Sequence, residues 1–257
     1  MSKSQGKFVW YELMTTDTAG AENFYRDVIG WTAQDAGMPD MSYTIFSAGP
    51  TRIGGMMALP ESACAAGARP GWIGYVAVDD VDAGAAQFAK DGGKVHKEPA
   101  DIPGVGRFAI VADPQGAVLA LFKGASGDEP EQAPLGTPGH AGWHELQAVD
   151  REAAFAFYNR LFGWTKDEAM DMGPMGVYQL FAAGDGAIGG MMTKLEAVPV
   201  PFWLYYFNVG DIDAAQGRIE AARGQILNGP MEVPGGRFIL QCLDPQGAMF
   251  ALVGPRS

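Results

Sequence analysis

The chain has 257 residues, 47% of them hydrophobic and 19% charged, and carries a formal net charge of −12. A phosphate backbone demands clustered Lys and Arg, and no basic stripe is visible, so nucleic acid is excluded as a partner; no stretch nears eighteen uninterrupted apolar residues, so no membrane span is expected. Met1 to Lys7 lacks the apolar run of a signal peptide, and Cys64 and Cys242 do not pair by any repeat, which points to inert thiols and a cytoplasmic address.

Trp10-Tyr11-Glu12-Leu13 opens an apolar segment long enough for one strand. A helix follows, because Ala21, Phe24, Tyr25, Val28 and Ile29 fall on one helical face. Asp17 or Thr18 can cap its first N–H groups, and Gly30 can end it in a left-handed conformation. Three strands are expected near 31–35, 42–48 and 52–58. Trp72 to Val78 reads as a further strand and Val81 to Asp91 as a short helix closed by Gly92-Gly93. Strands near 94–97, 107–112 and 117–122 complete this half. Gly124 to Gly142 is rich in Gly, Pro and acids, a linker composition.

Beyond the linker the pattern returns. Trp143-His144-Glu145-Leu146, Asp150, Phe157-Tyr158 and Gly163-Trp164 repeat Trp10-Tyr11-Glu12-Leu13, Asp17, Phe24-Tyr25 and Gly30-Trp31 at a constant offset of 133 positions. Gly54-Gly55-Met56-Met57 returns as Gly189-Gly190-Met191-Met192, and Asp113-Pro114-Gln115-Gly116 as Asp244-Pro245-Gln246-Gly247. A repeat this long means two copies of one domain, here 1–123 and 142–257 with 124–141 between them. Each copy reads βαβββ twice, so the chain holds four modules, opened by Trp10, Trp72, Trp143 and Trp203. Asp17, Asp79 and Asp150 stand seven positions after the first three. The fourth has Gly210 there, with Asp211 one step on.

This doubled pattern resembles the vicinal oxygen chelate superfamily of glyoxalase I, extradiol dioxygenases and bleomycin-resistance proteins. The marks are ELMTTD…AENFYRDVIGW and ELQAVD…AAFAFYNRLFGW, each followed by DPQGA. The WYEL and WHEL openings with IGGMM are similar to a tandem glyoxalase-like subgroup often labelled as hydroxylases or secreted-antigen homologues. The resemblance implies an α+β fold of two tandem domains, each a pair of βαβββ modules forming an open cup-shaped sheet. It also implies where metal-dependent members keep their ligands: at the start of the first strand, at the start of the fifth, and in the last strand seven residues after the Asp of DPxG.

Those positions hold Trp10 and Trp143, then Trp72 or Ile73 and Trp203 or Leu204, then Ala120 and Ala251. A catalytic Zn, Fe or Mn site takes about three protein ligands from His, Cys and carboxylates. His144 is one residue off the ligand position, and alternation turns it toward the helix side. The reading is therefore no metal and no cofactor.

Alternation puts Trp10, Glu12 and Met14 on the cup face, with Trp143, Glu145 and Gln147 in copy two. Glu12 and Glu145 are the candidate catalytic residues, as general bases or as anchors for a polar ligand group. Arg107 and Arg237 are their candidate partners, although Arg237 stands one residue further from its DPQG than Arg107, so their equivalence in space is open. Met56 and Met191 offer a deformable lining, and Trp72, Trp203, Tyr43, Tyr178, Tyr205 and Tyr206 are candidate aromatic walls. DPQG is read as a turn.

The first functional expectation is a metal-independent, bleomycin-resistance-like protein that binds a small organic molecule in this aromatic and Met-lined cup. The alternative is a metal-free lyase, isomerase or hydroxylase-like enzyme using Glu12 or Glu145 as acid or base. A metal-dependent glyoxalase or dioxygenase ranks last. Pairing of the two domains within the chain and a homodimer are the protein partners left open.

Overall fold

The computed structural model describes residues 4–39, 41–65, 67–126, 133–184 and 186–256. Module one is β1 (Phe8–Thr15), α1 (Thr18–Ile29), β2 (Thr32–Asp35), β3 (Tyr43–Ala48) and β4 (Thr51–Ala58), followed by a short helix α2 (Glu61–Ala65) that the sequence pattern did not announce. Module two is β5 (Gly71–Ala77), α3 (Val81–Lys90), β6 (Lys94–Ile102), β7 (Gly106–Ala112) and β8 (Val118–Gly124). Module three is β9 (Ala141–Ala148), α4 (Arg151–Phe162), β10 (Thr165–Asp171), β11 (Val177–Ala182) and β12 (Ala187–Thr193). Module four is β13 (Phe202–Asn208), α5 (Ile212–Ala221), β14 (Gln225–Val233), β15 (Arg237–Leu243) and β16 (Met249–Gly254). The strands form two mixed eight-stranded sheets of the same order, β2-β3-β4-β1-β5-β8-β7-β6 and β10-β11-β12-β9-β13-β16-β15-β14. This is the α+β architecture that the doubled βαβββ pattern implies.

The helices start and stop for the anticipated reasons. The Asp17 side chain accepts from the N–H of Gly20, and Asp150 from that of Ala153, satisfying donors that the first turn leaves unpaired. Gly30 (φ 90°) and Gly163 (φ 73°) end the two helices in the left-handed region. In modules two and four the caps are Asp80 and Asp211, not the residue seven after the opening Trp, so Asp79 does not cap. Each helix buries one face: Ala21, Phe24, Tyr25 and Val28 in α1, and Ala154, Phe157 and Tyr158 in α4.

The chain forms two compact units, and each takes one module from each half of the sequence. Unit 1 contains residues 1–9, 73–132 and 143–204; unit 2 contains 10–72, 133–142 and 205–257. Residues 133–142 of the linker stretch are thus built into unit 2. There Gly139 donates its N–H to the Asn208 carbonyl, and the indole of Trp31 donates to the Gly139 carbonyl at 2.8 Å. Unit 1 repeats the contact, Trp164 donating to the Gly6 carbonyl at 2.6 Å.

The same buried chain ties each unit together. In unit 2 the Trp72 indole donates to Tyr25 Oη (2.9 Å), which donates to Asp244 Oδ2 (3.0 Å). In unit 1 Trp203 donates to Tyr158 Oη (3.3 Å), which donates to Asp113 Oδ2 (3.0 Å). The other oxygen of each aspartate accepts two backbone N–H groups of its own turn, from Gln115 and Ala117 or from Gln246 and Ala248. DPQG is therefore more than a turn. Its Asp sits under a helix of the other half of the sequence, and Gln115 clamps the backbone N–H and C=O of Asp150 at the head of α4. Burial raises the pKa of both aspartates, and the backbone N–H and tyrosine hydrogen bonds oppose that rise.

Tyr25→Phe or Tyr158→Phe strips a donor from a buried carboxylate and an acceptor from a buried indole. Each is expected to lower the unfolding free energy by about 1–3 kcal/mol, measured by urea denaturation. A loss below the experimental error in both variants would show that the chains hold nothing together.

Candidate functional site

The helices cover one face of each sheet; Glu12 and Glu145 fall on the other. Glu12 pairs in register with Gly55 and Met14 with Met57, while Glu145 pairs with Gly190 and Gln147 with Met192. Tyr43, opposite Met57 on β3, lays its ring across Gly55. A Cβ on Gly55 would collide with the Tyr43 hydroxyl, and one on Gly190 with the Tyr178 ring. Thus the second glycine of each Gly-Gly-Met-Met motif exists to let a tyrosine cross its strand.

The tyrosine crosses to complete a hydrogen-bonded chain, built twice. The Trp10 indole donates to Tyr43 Oη (3.0 Å), and Tyr43 donates to Glu12 Oε2 (3.0 Å). Trp143 donates to Tyr178 Oη (2.8 Å), and Tyr178 donates to Glu145 Oε2 (3.2 Å). The direction is fixed by chemistry: an indole N–H only donates and a carboxylate only accepts. Burial, then the charge of Glu12, raise the Tyr43 pKa, so its hydroxyl keeps its proton. Glu12 and Glu145 are 8% and 6% exposed. Gln147 Nε2 donates to Glu145 Oε1 (2.7 Å), whereas Met14 has no N–H to offer Glu12.

Of the residues singled out from sequence, Trp10, Glu12, Met14, Trp143, Glu145, Gln147 and Tyr178 come together in these two groups, joined by Tyr43. Others are placed elsewhere. Met56 and Met191 pair with Leu13 and Leu146 on the opposite face, buried to 1% and 0%; Met57 and Met192 hold the positions beside Met14 and Gln147. Trp72 and Trp203 turn to the helix side, where they feed the aspartate chains. Tyr205 is fully buried against Tyr11, 5.5 Å between ring centres, again opposite Glu12. Arg107 is held by Asp82 (2.7 Å) and Asp101 (2.9 Å) on the helix side. Arg237 donates instead to Asn208 Oδ1 (2.8 Å). The one-residue offset between the two arginines has put them on opposite faces: Arg107 shares its face with Ala109 and Val111, whereas Arg237 shares its face with Ile239 and Gln241, opposite Leu240 and Cys242.

The three ligand positions implied by the resemblance carry Trp10 and Trp143, Ala120 and Ala251, and, by alternation from the helix-facing Trp72 and Trp203, Ile73 and Leu204. Indole, methyl and alkyl groups offer a divalent ion no lone pair. Among the described residues no group of three His, Cys, Asp or Glu could hold a metal. The donor set does not fit a resident divalent ion of the kind those positions hold in metal-dependent members. His144 faces away from Glu145: its ring stacks on Phe8 at 4.1 Å and its Nδ1–H donates to the Ile188 carbonyl (2.6 Å).

A doubled βαβββ sheet defines a class of protein, and comparison gives the family. The model of the Glyoxalase/Bleomycin resistance protein/Dioxygenase superfamily matches residues 7–121 and 138–252, and the chain belongs to that superfamily. It is 32% identical over 255 residues to "Putative glyoxylase CFP32" of Mycobacterium tuberculosis, covering 98% of this chain and 95% of that one. It is 31% identical over 261 residues to the anthracycline biosynthesis protein DnrV of Streptomyces peucetius, covering 96% and 93%. Among solved structures it is similar to the Mn(II)-bound glyoxalase of Novosphingobium aromaticivorans (TM-score 0.67, 16% identity, 100% of this chain and 84% of that one). It is also similar to homoprotocatechuate 2,3-dioxygenase of Brevibacterium fuscum (TM-score 0.68, 16% identity, 97% and 80%). Among the described residues no helix is long and apolar enough to cross a membrane.

Burial pushes the His144 pKa down to about 4 from 6.5. Between those values the unfolded chain binds a proton that the folded one refuses, so stability is complete above pH 6.5 and falls as pH drops through about 4. His144→Tyr, the residue that copy one carries at Tyr11, removes this group. The unfolding free energy of the parent is expected to fall more than that of the variant over this window, by on the order of 3 kcal/mol. Parallel pH profiles would contradict the assignment.

Proposed function

We propose that the protein binds a small, oxygenated organic molecule with a planar ring on the faces marked by Trp10–Tyr43–Glu12 and Trp143–Tyr178–Glu145, without a resident metal. The observation that carries this reading is the duplicated Trp–Tyr–Glu chain, whose indole stands at the first-strand position that carries a metal ligand in metal-dependent members. An indole edge and Met14 or Met57 supply flat and deformable apolar contact. The carboxylate, oriented by the tyrosine, supplies an acceptor for a guest hydroxyl or N–H. The relative named for anthracycline biosynthesis supports a planar, polycyclic guest.

A metal-free enzyme is the second reading, favoured by one feature. Glu12 and Glu145 are nearly buried, and each is in contact with a phenol that retains its proton, so a proton taken from a guest would be held in a water-poor site. The two copies differ in one contact: Gln147 engages the second oxygen of Glu145, and copy one has Met14 at the corresponding position.

A thermal-shift panel of planar hydroxylated aromatics, such as hydroxyanthraquinones, checks the binding reading. Ligands of the native state raise Tm by mass action, and the rise is expected to be the same after exhaustive dialysis against EDTA. Tyr43→Phe combined with Tyr178→Phe is expected to weaken binding by about tenfold, the loss of one oriented hydrogen-bonding group. A rise that requires added Mn, Fe or Zn, or no rise across the panel, would reject it. If turnover is found, Glu12→Gln and Glu145→Gln separate the enzyme reading. That reading needs at least one to abolish turnover while leaving ligand affinity within about threefold.

A further inference from the structure

Among the described residues Arg237 is a cation without a counter-charge. Its Nη2 donates to Asn208 Oδ1 at 2.8 Å and to the Val253 carbonyl at 3.3 Å, both neutral acceptors. Its Nε is buried and has no hydrogen-bond partner. Among the described residues no Asp or Glu forms an ion pair with it, although the chain carries 30 acids against 18 Lys and Arg. A buried charge is costly unless paired, and an orphaned buried N–H requires an explanation. Burial holds the Arg237 pKa below the ordinary arginine value, yet a guanidinium does not give up its proton in a protein. The charge stays and asks for an anion.

The duplication shows that the fold does not ask for it. Module two builds the same strands with Ala77 where module four has Asn208, five residues after the opening Trp in each. It also has Gly106 where module four has Arg237, directly before the Arg107 or Phe238 of the paired strands. Gly6 donates its N–H to the Ala77 carbonyl just as Gly139 donates to that of Asn208, so the backbone pairing needs neither side chain. Around the pair, unit 2 has made room. Asn208, 1% exposed, donates from Nδ2 to the His140 carbonyl (3.0 Å) and is thereby locked. A Cβ on Gly142 would lie 2.6 Å from Asn208 Oδ1, and one on Gly136 would lie 2.6 Å from Arg237 Nη1. The residue that corresponds to Gly142 in copy one is Val9. Asn208, Arg237 and Gly142 are thus one accommodated set, present in one copy only.

We infer that Arg237, oriented by Asn208, is a binding site for the carboxylate of a small organic acid. A carboxylate is planar and presents two oxygens, which matches the remaining N–H groups of the guanidinium fork. The site uses none of the residues of the Trp–Tyr–Glu groups and stands or falls separately from them.

Benzoate is the probe, titrated at constant ionic strength against sodium chloride and followed by thermal shift and calorimetry. The full chain is expected to show saturable binding and a rising Tm. Asn208→Ala with Arg237→Gly gives module four the residues of module two. That double variant is expected to fold, since module two forms the same strands with those residues, and to lose the benzoate response. An identical benzoate response in the two proteins, or none in the parent, overturns the inference. If the double variant does not fold, Arg237→Lys decides: it keeps the charge and loses the fork, so affinity should fall on the order of tenfold, and unchanged affinity overturns the inference equally.

Discussion

Each compact unit is organised around a tyrosine hydroxyl shared between an indole and a buried aspartate. The hydroxyl has one proton and two lone pairs. It accepts from Trp72 or Trp203 and gives its proton to Asp244 or Asp113, while the second carboxylate oxygen is closed by two amides of its own turn. A carboxylate 3–4% exposed is tolerable only because three donors surround it. In each unit the tyrosine lies in one half of the sequence and the aspartate in the other. The aspartate of module four is therefore satisfied by the helix of module one, and that of module two by the helix of module three. The apolar packing follows the same pairing, with Phe24 against Phe250 in unit 2 and Phe88 against Phe157 in unit 1. Burial supplies most of the energy, and the polar chain determines which modules it joins.

The Trp–Tyr–Glu groups use the same ordering of donor and acceptor on the face without helices, and the difference in setting separates scaffold from site. The aspartate chains are closed on every side by backbone and rings. In the glutamate groups Trp10, Trp143 and Tyr43 remain part-exposed, and the carboxylate has its direction already fixed. Fixing an acceptor before the ligand arrives lowers the ordering cost of binding. That preorganisation depends on Gly55 and Gly190, where any side chain would displace the tyrosine.

Much of this was legible in the amino-acid order because it rests on local rules. The 133-residue offset, the helical faces of α1 and α4, the Asp17 and Asp150 caps and the left-handed Gly30 and Gly163 all follow from period, capping and backbone freedom. Alternation also put Glu12, Glu145 and His144 on the correct faces. What failed was parity on strands without a fixed anchor. Met56 rather than Met57, and Trp72 rather than Ile73, were assigned to the open face because a one-residue shift inverts every side chain and nothing local sets the register of β4 and β5. The spacing from Trp does not carry over to the caps of all modules, since modules two and four have one more residue than modules one and three between the opening Trp and the helix. The role of DPQG was hidden for a different cause. Tyr25 and Asp244 are 219 positions apart, and no periodicity within a window connects them.

The two copies are held to one fold by features that do not vary, and this constancy gives meaning to the places where they differ. Trp, Tyr and Glu of the open-face group, the aspartate chain, and the indole-to-carbonyl contacts of Trp31 and Trp164 occur in both. Against that background Met14 faces Gln147, Tyr11 faces His144, and Ala77 with Gly106 face Asn208 with Arg237. None of these changes is demanded by the strands that carry them, because the sister module forms the same strand with the other residue. Gln147 and His144 belong to unit 1 and Asn208 and Arg237 to unit 2, so the duplication has kept one scaffold while each unit has diverged at a different pair of positions.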